Sequence, residues 1–213
     1  MDSKAHWEHI YETKTSDQVS WFEAEATLSL ALAQRAAPTR DEAIIDVGAG
    51  AGTFVDGLLS AGYRRITVLD LSAAALAQAQ HRLGGRAQAV VWRDADVLTA
   101  AFPARAFDVW HDRAVFHFLT RAPDRRAYVA QVRRALRPGG FVIVATFAAD
   151  GPSRCSGLDV VRYSADRLHA EFGDDFRLLS SEQQTHITPW GAEQPFTYCL
   201  CRYEPDASVR HAE

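Results

Sequence analysis

The sequence predicts an α/β chain built on a doubly wound, mostly parallel sheet that closes with an antiparallel C-terminal strand. Three observations carry this. Between Ile44 and Phe147, short apolar runs alternate with amphipathic helical stretches, the pattern of a parallel sheet covered on both faces. The later segments FRLLSSEQQTHIT and QPFTYCLCRY instead alternate apolar and polar residues about a Pro-Trp-Gly turn. That makes a hairpin, so at least one strand runs against the rest. Finally, 213 residues with 47% hydrophobic and 23% charged side chains suit one globular domain with a substantial core.

Taken in order, residues 1–36 read as helical, most firmly at TLSLALAQRA. AIIDVG is the first strand, and GTFVDGLLSAG is a helix stopped by Gly62 in the left-handed cap position. RRITVLD is the second strand. The next helix has Ser72 as N-cap, Leu71 and Leu76 spaced as a hydrophobic staple, and Gly84 beyond its end. AQAVVWRD and AFDVWH supply the third and fourth strands. RRAYVAQVRRALRPGG sets Tyr128, Val129, Val132 and Leu136 on one helical face and ends on a Pro-Gly-Gly turn, before FVIVATF forms the fifth strand. No repeat or linker divides the chain. The expected organisation is a helical N-terminal segment over 1–40, a core over 41–204 and a frayed tail over 205–213.

Composition excludes several classes. A formal charge of −4 leaves no basic footprint for nucleic acid. The basic residues are nearly all arginine, with Lys4 and Lys14 as the lysines, which argues against Schiff-base chemistry and for a planar, permanently charged guanidinium. Cys155, Cys199 and Cys201 show no C-x-x-C spacing, which fits a reducing compartment rather than a disulfide framework. The first residues lack the apolar core of a signal peptide, and FVIVATFAA is too short to span a bilayer. A cytoplasmic protein without membrane association is the expectation. His6 and His9 have ligand-like spacing, but no acidic or cysteine cluster completes a metal site.

The stretch most open to chemical interpretation is IIDVGAGAGTF. The dinucleotide fingerprint G-x-G-x-x-G fails, because Thr53 stands where a third glycine belongs, and no Gly-Lys-Ser/Thr follows for a phosphate loop. What remains is D-x-G-x-G-x-G: Asp46 on the strand, then Gly48, Ala49, Gly50 and Gly52 in the turn. A nucleoside site also needs a carboxylate at the end of the second strand for the ribose hydroxyls. Asp70, followed by Leu71, stands there, 18 residues beyond Gly52. Near the end of the third strand, Asp96 can accept from an exocyclic adenine amine, and the Val97 backbone N–H can face a ring nitrogen. All three places fall at the carboxyl edge of the sheet, where ligands bind.

With these features in this order, the sequence resembles the class I S-adenosylmethionine-dependent methyltransferases from about Ile44 to Tyr203. The resemblance implies a Rossmann-like seven-stranded sheet in the order 3-2-1-4-5-7-6 and S-adenosyl-L-methionine as cofactor. It places Asp46 and the Gly48–Gly52 turn at the methionyl end, Asp70 at the ribose, Asp96 and Val97 at adenine, and His111 beside the sulfonium. A shorter similarity, in FDVWHDRAVF, the Gly-Pro loop before VVRYSADRLHAEFG and HWEHIYETKTSDQVSWF, is to thiopurine and other thiol methyltransferases. It implies an N-terminal segment that closes over the cofactor, although His111 and His117 are not part of that pattern.

Acceptor candidates come from the segment after the fourth strand and from the loop after the fifth. Trp21, Phe22, Arg113, His117, Arg154 and Cys155 are the expected substrate contacts, with Asp112, Arg113 and His111 as catalytic candidates. An apolar pocket favours charge-destroying attack on a sulfonium, and a guanidinium lowers a thiol pKa from about 8.5. A small-molecule thiol or sulfide is therefore the expected acceptor. N-methylation of a protein lysine or small amine stays open, with Asp112 and a histidine handling the proton. A hydroxyl or carboxylate acceptor, a cofactor-binding module without chemistry and a nicotinamide dehydrogenase also stay open.

Overall fold

The computed structural model describes residues 3–205; residues 206–213 of the expected tail lie outside them. Helix α1 (Ser3–Thr13) is followed by a short 3-10 turn at Ser16–Gln18, an irregular stretch, and α2 (Thr27–Ala36). The continuous helix expected over 1–36 is thus broken. The Thr15 N–H donates to Gln18 Oε1 at 3.2 Å and the Thr15 hydroxyl donates to Asp17, local side-chain bonds that compete with helix propagation. TLSLALAQRA is α2 residue for residue.

The alternating core follows: β1 (Ala43–Val47), α3 (Phe54–Ser60), β2 (Arg65–Asp70), α4 (Ala73–Leu83), β3 (Val90–Asp94), β4 (Phe107–Arg113), α5 (Ala122–Ala135) and β5 (Leu136–Phe147). These five strands pair in parallel. A small hairpin, β6 (Arg154–Cys155) and β7 (Leu158–Asp159), precedes α6 (Ala165–Phe172), β8 (Phe176–Ile187) and β9 (Glu193–Tyr203). Strand β9 lies between β5 and β8, antiparallel to both. The order β3-β2-β1-β4-β5-β9-β8 is the expected one once the separate hairpin is left out.

Three boundaries move for physical reasons. Strand β3 starts at Val90 because residues 84–89 coil into a 3-10 turn, to which Trp92 Nε1 donates at Ala87 O, 3.0 Å. Helix α5 ends at Ala135, since Pro138 disfavours helical backbone at Arg137 and brings no N–H of its own. Leu136 is still buried, but from the strand. Strand β4 continues two residues further than expected, through Asp112 and Arg113.

Side chains alternate across the buried strands. Ile45, Val47 and Trp110 pack towards Tyr128, Val129 and Val132 of α5, while Ile44 and Val109 pack towards Leu32 of α2 and Leu58 of α3. Ser72 caps α4 by accepting from Ala75 N–H at 3.1 Å. No described helix is long and apolar enough to cross a membrane.

Candidate cofactor and acceptor site

The site forms where β1 and β2 end side by side. Gly48 and Ala49 N–H donate to Leu69 O at 2.7 and 3.2 Å, which pulls the glycine turn against β2. Gly48 and Gly50 have φ of +62° and +55°, the left-handed region that suits glycine. A Cβ at Gly48 would clash with Val115 Cγ2, and one at Gly50 with the Tyr11 hydroxyl. We expect Gly48→Ala to cost about 2–4 kcal/mol, the left-handed penalty added to overpacking. A urea midpoint unchanged from wild type contradicts this.

Asp70 closes the turn from the other side. Its Oδ2 accepts from Gly50 N–H at 2.7 Å and its Oδ1 from Ser72 N–H at 2.8 Å. Burial pushes this carboxyl up to about 6, against the pull of the Ser72 and Gly50 N–H groups and with help from the charge of Asp46.

Two cavities open here. The larger, about 200 Å³, runs from Gly48 past Asp70 and Leu71 to Asp96 and Val97, with Val115 and Leu119 along one wall. Asp96 Oδ1 accepts from Leu98 N–H at 2.8 Å, whereas neighbouring Asp94 pairs with Lys4 at 2.8 Å and does not line the cavity. Helix α1 roofs it with Trp7 and Tyr11; Trp21, Phe118, Cys155 and Arg113 complete the far end. Trp21 Nε1 donates to the Tyr11 hydroxyl at 3.0 Å, and Trp7 meets Trp21 and Phe118 edge-on.

The smaller cavity, about 60 Å³, is lined by Asp46, Gly48, Ala49 and Gly52 from the turn, by His111, and by Glu23 and Ser29 from the N-terminal segment. His111 Nδ1 lies 2.7 Å from Asp46 Oδ1 and its Nε2 lies 2.9 Å from Ser29 Oγ, with the ring centred 4.0 Å from that of Phe54. Trp21 and Arg113 border both cavities. Arg113 is tightly held: Nε donates to the Tyr198 hydroxyl at 3.0 Å, Nη1 to Trp21 O at 3.1 Å, Nη2 pairs with Glu23 at 3.1 Å, and the guanidinium stacks on Phe196.

Five expected site residues line neither cavity; one is Gly50, whose N–H is turned to Asp70 and whose Cα faces the Tyr11 hydroxyl. Asp112 is fully buried and points the other way, accepting from Val115 and Phe116 N–H and from the Tyr128 hydroxyl. Burial pushes its carboxyl up to about 6, against those donors. Neighbours on a strand face opposite sides, so with Arg113 on the cavity side Asp112 must lie beneath. His117 is buried against Phe118 and Phe147, Nδ1 accepting from Phe147 N–H at 3.3 Å. Burial, with Arg113 nearby, drives its pKa down to about 3, so it stays neutral. Arg154 is exposed, bonded to Asp159 and Gly157 O across the β6–β7 turn. Phe22 packs on the cluster of Ile10, Tyr11 and Val19. Cys155 does line the larger cavity, its thiol pushed up to about 11 by burial.

Glu23 and Ser29 are polar cavity residues that the sequence did not mark, whereas Trp7 and Tyr11 belong to the aromatic N-terminal segment expected to close over the cofactor. Trp7 and Tyr11 had a usable signal, since a spacing of four puts both on one helical face. Ser29 had none, because its contact with His111 joins residues 82 positions apart.

Residues 44–140 match the family described as a methyltransferase domain. The matched segment runs from β1 into β5, and the sheet order is the one expected for a Rossmann-like methyltransferase fold. Among curated proteins, an uncharacterized methyltransferase of Mycobacterium tuberculosis is 32% identical over 132 residues, 60% of this chain and 61% of that protein. The chain thus spans about three fifths of the length of that relative. Among solved structures, one from work on the conversion of a disulfide bond into a thioacetal group during echinomycin biosynthesis superposes with a TM-score of 0.77 at 20% identity, covering 97% of this chain and 95% of that one. The N-methyltransferase NodS from Bradyrhizobium japonicum, in complex with S-adenosyl-L-homocysteine, gives 0.70 at 16%, covering 94% and 100%. At such identities the structural likeness speaks for the fold.

Proposed function

We propose that this protein transfers a methyl group from S-adenosyl-L-methionine to a small thiol or sulfide. The residues suit this cofactor. The glycine turn leaves no space for side chains where the ligand passes, Asp70 offers an ionisable acceptor for a ribose diol, and Asp96 and Val97 lie further along the same cavity. The bound cofactor supplies a methyl group on a sulfonium, an electrophile that needs no activation by the protein.

One observation carries the choice of acceptor. The charged side chains lining the larger cavity are Asp70, Asp96 and Arg113. The two acids stand at the nucleoside end, which leaves Arg113 among Trp7, Trp21, Phe118 and Cys155 at the other. An ammonium, with a pKa of about 10.4, needs a base before it can attack. A thiol is already a few per cent thiolate near pH 7, and an adjacent guanidinium raises that share. The apolar walls favour the collapse of thiolate and sulfonium charges into neutral products. The acceptor proton has left before transfer, the new S–CH3 bond forms as the sulfonium S–CH3 bond breaks, and the thioether product carries no charge. The thioacetal system among the structural neighbours, which also concerns sulfur, supports this reading. The NodS likeness and the aromatic faces of Trp7 and Trp21 support an amine instead.

The test is release of S-adenosyl-L-homocysteine by purified protein given sulfide or an alkyl thiol, with amine and no-acceptor controls. Thiol-dependent release is expected, and release with amines alone overturns the proposal. Arg113→Gln should reduce thiol turnover at pH 7 about tenfold, one pKa unit of thiol acidity, and recover towards wild type at pH 9. Equal loss at both pH values assigns Arg113 a packing role only.

A further inference from the structure

We propose that Ser29 and His111 are positioning residues that fix Asp46 as the seat of the cofactor's α-ammonium, and so make the site select nucleosides that carry the full methionyl chain. This rests on the reading of the larger cavity as a nucleoside site. Asp46 and His111 sit opposite one another on paired strands β1 and β4, so their side chains leave the sheet on the same face. Ser29 reaches the far side of the imidazole from α2, and the three residues are 3%, 2% and 1% exposed.

A carboxylate accepts, so His111 Nδ1 donates to Asp46 Oδ1, while Nε2 and the Ser29 hydroxyl share a hydrogen bond on the far side of the ring. The imidazole is locked at both nitrogens and by the Phe54 ring. Ser29 lines the same cavity as Asp46 and holds the imidazole from the side opposite the carboxylate. Asp46 consequently borders the smaller cavity, beside the Gly48 and Gly52 backbone, as a charge of fixed position. Such a charge, away from bulk water, recognises a primary ammonium with its three donors. The two cavities share Gly48, Trp21 and Arg113 as lining residues, which puts the smaller one within reach of a chain leaving the nucleoside end. A nucleoside that stops at its thioether, such as 5′-methylthioadenosine, places nothing there.

Calorimetric titration of wild type, Ser29→Ala, His111→Phe and His111→Asn with S-adenosyl-L-homocysteine and with 5′-methylthioadenosine tests this. His111→Phe keeps a ring against Phe54 but removes both hydrogen bonds; His111→Asn keeps a donor towards Asp46. Homocysteine-ligand affinity should fall about 10–100-fold in His111→Phe and about 3–10-fold in Ser29→Ala, the range for losing a hydrogen bond that supports a charge. His111→Asn should recover most of it. Affinity for 5′-methylthioadenosine should stay within about twofold throughout. Parallel loss of both ligands, or no loss of either, overturns the positioning role. Wild-type protein that binds neither ligand overturns the cofactor reading itself.

Discussion

Asp70→Ala is expected to reduce affinity for S-adenosyl-L-homocysteine by at least about 100-fold. Two ribose hydroxyls donating to one carboxylate contribute about 1.5–3 kcal/mol each as charge-assisted bonds. The substitution also strands the Gly50 and Ser72 N–H groups that Asp70 now satisfies, which loosens the turn the ligand must pass. Isothermal titration reads the loss directly, and a Kd within threefold of wild type excludes Asp70 as the ribose acceptor. The same carboxyl makes a pH prediction. It titrates near 6 in the folded protein, and the ionised form is the one that accepts both hydroxyls. Protons therefore compete with ligand, and affinity should fall towards tenfold per pH unit below about 6. Asp70→Asn should flatten that dependence. A wild-type Kd that stays constant from pH 7 to 5 contradicts the assignment.

Asp112→Ala is expected to destabilise the fold by about 3–5 kcal/mol, because it orphans the Tyr128 hydroxyl and two backbone N–H groups at about 1–3 kcal/mol apiece. It should lower the urea midpoint at an unchanged slope. Normal stability with lost turnover instead restores the catalytic role that the sequence suggested. The sign of the pH effect follows from the raised carboxyl. Its value of about 6 in the fold lies above the roughly 3.9 of an unfolded chain, so the native state binds more protons in that interval. The stability this group confers is present in full below about pH 4 and lost as pH rises through 6. Wild type should therefore lose stability relative to Asp112→Asn between those limits.

These two aspartates also mark how far the sequence can be read. The glycine turn, Asp70 and the alternation of strands and helices are local signals, each contained in a dozen residues, and the sheet order follows once the final hairpin is recognised. Asp112 was legible as an important acid but not as an inward-facing one. Its direction depends on parity along β4, and that strand runs two residues beyond its apolar stretch because Tyr128 of α5 and the Val115–Phe116 turn receive the carboxylate. His117 was left open by the sequence for a related reason. An imidazole among phenylalanines can mark a binding surface or a filled core, and the choice is made by Phe147 on another strand. The N-terminal helices were legible as helices. That α2 delivers Ser29 to His111 was not, since nothing near Ser29 in sequence records a partner on β4.

The placement of β9 has a consequence for biogenesis. It follows every other described strand in sequence yet occupies an interior position, between β5 and β8. Until it arrives, a growing chain presents the bare edge of β5, a template for pairing with another molecule. Its arrival also delivers Tyr198, the hydroxyl that receives Arg113 Nε. The sheet is sealed and the guanidinium that borders both cavities acquires its β9 partner in one event, so a molecule stalled short of β9 is both prone to aggregate and without a finished acceptor pocket.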